Sequence, residues 1–166
     1  MFFKYLSISL LIILSIQNAY SQDHYQITSF EKETFLIAST CYNSKNLGAY
    51  EHQETCRTVR QELNNLSSKN SPLSHDEKNV LNLVTSSIEQ ALARSLIRIR
   101  MEVAKKNIRI SNQDYKNYRQ LSCDHYRNAF EHYLKIEPPT RKWFDEISAN
   151  RSDLTIPINS CNKHGY

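Results

Sequence analysis

The 166-residue chain carries a formal charge of +4 and has only two glycines and four prolines. Strand-rich folds need tight turns with positive φ, so this scarcity excludes hairpin-rich architectures and points to long helices. It also removes most glycine-built phosphate cradles, while the mild basicity suits an acidic partner or anionic surface.

Met1 to Ser21 contains Lys4, an apolar run from Leu6 to Ile16, and Ala19-Tyr20-Ser21 ahead of Gln22. That is the layout of a cleavable secretory signal peptide. The run falls short of the ~20 residues that cross a bilayer, so no membrane span is expected. Residues 22–166 then make a single helical domain, long enough to bury a core. Cys41, Cys56, Cys123 and Cys161 all lie in it, and an even count in an exported chain reads as two disulfides.

In Ile27 to Ser44, the residues Ile27, Phe30, Thr34, Ile37 (or Phe35 and Ala38) and Cys41 recur at three- and four-residue steps, the period of an amphipathic helix. Asn43 to Gly48 breaks it, with Gly48 expected near the C-terminal cap. A second helix is expected from Tyr50 to Leu66, with Cys56, Val59, Leu63 and Leu66 on one side. An antiparallel hairpin would bring Cys41 to Cys56, and closing that loop contributes about 3 kcal/mol in the chain-entropy model. Four cysteines nevertheless allow three connectivities.

Ser67 to Leu73 is a polar linker. Ser74 with Glu77 forms a capping-box signature and opens the organising helix of the chain, Ser74 to Arg109. Asp76 and Glu77 suit the positive end of its dipole. Val80, Leu81, Val84, Ile88, Ala91, Leu92, Ser95, Leu96, Ile99 and Val103 form a stripe wide enough for two neighbouring helices. Asp in place of Ile88 or Leu92 should abolish folding, because it buries an unpaired charge. Asn107 to Ile110 interrupts the helix, Ser111 with Asp114 restarts it, and Pro138-Pro139 stops it after Lys135 or Ile136. Thr140 can cap a short helix holding Trp143, Phe144 and Ile147. The tail from Asn150 to Tyr166 shows little periodicity, and a bond from Cys161 to Cys123 would pin it.

The basic run Arg94, Arg98, Arg100, Lys105, Lys106 and Arg109 suits either a docking patch or a solvated face, with Glu102 four residues from both Arg98 and Lys106. This stretch lacks stacking aromatics, which argues against nucleic acid. Tyr and Arg are enriched at interface hot spots. Arg94, Arg98 and Arg100 on the third helix, with Tyr118 and Arg119 on the fourth, are therefore the expected partner-binding residues.

Six histidines raise the question of a metal. His125 and His132 stand two turns apart, about 10 Å of rise, and no pair has the i, i+4 spacing of a zinc helix. No metal and no cofactor are expected. Asp124-His125 beside Cys123 superficially resembles the active helix of secreted phospholipases A2. The Asp precedes the His, however, and a glycine-rich calcium loop is missing, so that reading is rejected. No Gly-x-Ser-x-Gly elbow occurs, and disulfide-bonded cysteines are not nucleophiles. A binding protein, not an enzyme, is the expectation; the alternatives are a secreted effector or ligand-carrying helical protein and, after those, a hydrolase.

An export signal, a cysteine pair flanking a helical hairpin, Tyr118-Arg119-x-x-x-Cys123 and a fourth cysteine near the end together resemble the LprI-type lysozyme inhibitors. The layout is also similar to periplasmic immunity proteins that neutralise cell-wall hydrolases. The resemblance implies a small helical envelope protein whose partner is a cell-wall-degrading enzyme. The expected whole is an all-α, disulfide-stapled bundle of four to five helices after a cleaved signal peptide, in the periplasm or outside the cell.

Overall fold

The computed structural model describes residues 27–106, 111–137 and 152–166 of the chain. Among them the elements are α1 (Ser29–Asn43), a 3-10 turn (Ser44–Asn46), α2 (Ala49–Lys69), α3 (His75–Lys105), α4 (Asn112–Leu134) and α5 (Ser152–Lys163), with no strand. The expected short helix capped by Thr140, and the expected interruption at residues 107–110, lie outside the described residues.

Two helix starts are built alike. At α3, Ser74 Oγ accepts from the Glu77 N–H at 3.2 Å and Glu77 Oε2 accepts from the Ser74 N–H at 2.9 Å. At α1, Thr28 Oγ1 and Glu31 Oε2 reciprocate in the same way, at 3.2 and 2.8 Å. Each box satisfies two donors that a helix start leaves orphaned. The Thr28 hydroxyl also donates to Glu77 Oε1 at 3.0 Å, which ties the two starts side by side. Gly48 does not close α1. It has a φ of −55° and stands at the N-cap of α2, while the chain turns through the 3-10 segment.

Helix α3 lies between two layers. On one side Val84, Ile88 and Leu92 pack with Ala38 and Cys41 of α1 and Cys56, Val59 and Leu63 of α2. On the other, Leu83 and Ala93 pack with Tyr126, Ala129 and Tyr133 of α4 and Leu154 of α5. Beyond them Ile99 and Val103 meet Ala49, with Tyr118 against them. The disulfides Cys41–Cys56 and Cys123–Cys161 staple the two layers separately. The second closes 38 residues, a loop length that contributes about 4 kcal/mol in the chain-entropy model.

The α3–α4 seam repeats every seven residues. Ser86 Oγ donates to the Ala129 carbonyl at 2.8 Å, and Ser122 Oγ donates to the Ala93 carbonyl at 3.1 Å. A serine hydroxyl reaches a neighbouring helix's backbone only when the two backbones run close, which the small residues at these four positions permit. A strict heptad spacing keeps such a seam facing its partner along the helices.

The sequence reading of residues 150–166 as an aperiodic tail is corrected: α5 occupies most of that stretch. Leu154, Ile158 and Cys161 recur at helical steps, Leu154 is fully buried, and Ile158 packs beside it. Pro157 lies inside the helix, where it removes a single backbone bond near the start. The gain from packing on α4 and from the disulfide outweighs that loss.

Enlarging the seam tests the close approach. Ala129→Leu should lower stability by about 1–3 kcal/mol through overpacking. A urea midpoint equal to that of the parent protein would show that the two backbones are not tightly apposed.

Candidate functional site

The structure draws most of the predicted binding residues to one end of the bundle, where α1 and α3 finish and α2 and α4 begin. Arg98 donates to the Lys45 and Leu47 carbonyls at 3.0 and 3.1 Å, and lies 4.0 Å from Glu102. It thereby caps the turn between α1 and α2. The Tyr118 hydroxyl stands 3.4 Å from that of Tyr50, and this contact raises the pKa of Tyr50. Arg100 lies over the Tyr115 ring, 4.2 Å from its centroid, and donates to its hydroxyl at 2.6 Å. Arg119 lies 4.6 Å over the ring of Tyr166. Arg94 is not part of this group; it pairs at 3.5 Å with Asp153 at the start of α5.

The result is a band of arginines and tyrosines from four segments of the chain. Tyr50 is 53% exposed and Tyr115 41%, with Leu47 and Met101 also open beside them. Sequence reasoning named Tyr118 and Arg119 but missed Tyr50, Tyr115, Met101 and Tyr166 as parts of the surface. Tyr115 was within reach, since it precedes Arg119 by one helical turn on the same face. Tyr50 and Tyr166 join only through tertiary packing. The basic stretch of α3 does have aromatic company, supplied by α4, and each ring in contact already carries an arginine.

A second constellation lies midway along α3. Glu89 is a carboxylate with its side chain only 4% exposed. Its Oε1 accepts from Arg60 Nε of α2 at 2.8 Å, and its Oε2 accepts from His125 Nδ1 of α4 at 2.6 Å. Arg60 donates onward to Asn64 Oδ1. Burial disfavours the ionised carboxyl, but the hydrogen bonds and charges of His125 and Arg60 outweigh it, so the pKa of Glu89 lies below the ordinary value. Two turns away, His132 Nδ1 pairs with Asn82 Oδ1 at 3.0 Å. Burial, with Arg60 and Lys135 nearby, lowers the pKa of His132. Both rungs follow from the seam, because Asn82 and Glu89 are seven residues apart on α3, as His125 and His132 are on α4. The sequence signal for this site is Glu89 itself, a charge set between Ile88 and Leu92 in an apolar stripe.

Among the described residues no three His, Cys, Asp or Glu side chains gather as a metal site would require, and no helix is long and apolar enough to cross a membrane. Comparison with known proteins finds no family model, no curated protein and no solved structure that matches the chain.

These pKa directions set the acid stability. The ionised form of Glu89 stabilises the fold above the unfolded value of ~4.3, and that contribution is lost as pH falls through the lower folded value. His132, and His52 whose pKa is lowered by burial and by Arg98, bind protons more readily in the unfolded chain. Stability should therefore already fall below pH ~6.5. Urea denaturation on acidification should show both stages, with His132→Asn weakening only the first. At neutral pH Glu89→Ala should cost about 3 kcal/mol by stranding its partners. A stability that does not change with pH would contradict this account.

Proposed function

We propose that the protein is an exported binding protein, an inhibitor or immunity protein that blocks a cell-wall-degrading enzyme. The observation that carries this reading is the arginine–tyrosine band at one end of the bundle. Interfaces draw on Tyr, Arg and Met at their energetic centres, and all three are exposed or half-exposed there. The arginines are held in place by ring stacking and carbonyl contacts, so little side-chain entropy is left to lose on docking.

Charge complementarity supports the class of partner. Enzymes that cleave glycans carry paired carboxylates in their clefts. A basic, aromatic end matches such a cleft in sign and in its ability to fill a groove. Tyr118 and Arg119, on which the likeness to lysozyme inhibitors rests, both belong to this band. Export suits the target, and two disulfides suit an oxidising compartment, periplasmic or extracellular.

The test is inhibition, not capture alone. The purified protein should bind a cell-wall hydrolase from envelope or culture fractions and protect cell walls from its action. Arg100→Ala with Tyr115→Ala should weaken binding by about 30-fold or more, the effect of a ~2 kcal/mol hot spot. Lys69→Ala, exposed at the opposite end of α2 from Tyr50, should leave binding unchanged. Recovery of no hydrolase together with no protection against lysis would reject the proposal.

A further inference from the structure

We propose that His125, Glu89 and Arg60 form a hydrolytic site for carboxylic esters, with His125 Nε2 as the base that activates water. The site is separate from the arginine–tyrosine band, so either reading can fail without the other.

The tautomer follows from the contacts. Glu89 is ionised, and a carboxylate only accepts hydrogen bonds, so the 2.6 Å contact places the proton on His125 Nδ1. Whenever the imidazole is neutral, its lone pair is therefore on Nε2. The ring is 26% exposed, and Nε2 has no hydrogen-bond partner among the described residues. A basic nitrogen is thus held toward solvent by a buried acid, the arrangement in which a third group orients a catalytic base. Glu89, at 4% exposure, acts as the positioning residue.

Arg60 completes the arrangement. It approaches the other oxygen of the same carboxylate from α2, so guanidinium and imidazole flank Glu89. With Nε on Glu89 and Nη1 on Asn64, Nη2 remains as a donor. A carbonyl set between the two groups would meet a base on one side and a fixed cation on the other.

The step balances without a metal or a redox partner. His125 Nε2 takes a proton from water as the water oxygen bonds to the ester carbon. The carbonyl π pair moves onto oxygen, where Arg60 faces the charge. The tetrahedral intermediate collapses, the bond to the alkoxy oxygen breaks, and the imidazolium returns its proton to that oxygen. A carboxylic acid and an alcohol leave, and the three side chains are restored.

His132 supplies an internal control, since its Nδ1 is tied to an amide and not to a carboxylate. The purified protein is assayed with p-nitrophenyl acetate. His125→Asn should lower the rate about 100-fold or more, as loss of a positioned base does, while His132→Asn retains it. Glu89→Gln should lower kcat with KM unchanged, which separates positioning from binding. Circular dichroism checks folding, and if His125→Asn does not fold, Arg60→Gln should lower kcat in its place. An unchanged rate in His125→Asn, equal losses in the two histidine variants, or a parent rate no greater than that of free imidazole would each overturn the proposal.

Discussion

Ser86 and Ala93 on α3 meet Ala129 and Ser122 on α4 so closely that hydroxyls reach across to backbone carbonyls. Once those four small residues set the distance and the register, the positions one step around each helix are committed as well. Glu89 must face His125 and Asn82 must face His132, because all of them share the same seven-residue interval. A seam of larger residues would push the helices apart and leave a buried carboxylate without its imidazole. The polar cluster is thus a consequence of the seam.

The chain handles its charges by the same logic of close placement. Burying Glu89 carries a desolvation cost that a lone carboxylate could not sustain inside a protein. Arg60 and His125 approach its two oxygens from opposite layers, so the one acid also links the α2 side of the bundle to the α4 side. At the arginine–tyrosine end α1 and α3 finish, and the carbonyls they leave unpaired attract cations. Arg98 answers that demand at the turn after α1. What makes this end sticky for a partner is therefore built from residues that also finish the fold.

Much of the architecture was legible from residue patterns. The cap at Ser74 and Glu77, the apolar stripe from Val80 to Val103, the restart at Ser111 and both disulfide pairs stand where local rules place them. The second box, Thr28 with Glu31, carries the same signature and was equally readable. The helix of the C-terminal segment was not, because Pro157 and its polar residues speak against helix until α4 supplies a face to pack on. Glu89 looked like any acid in a stripe, since only the antiparallel register shows which groups come to meet it. For the same reason the arginines of α3 read as a single run, whereas Arg94 turns to α5, Arg98 to the α1–α2 turn and Arg100 to α4.

The linked helix starts at Thr28 and Glu77 stand at the opposite end of the bundle from Tyr115 and Arg119. The 31 residues of α3 separate the two ends by roughly 45 Å at 1.5 Å per residue. The molecule therefore has a base and a tip. Thr28 stands at the base, so a surface or a label joined there would present the aromatic tip outward like a peg, with the staples along the shaft.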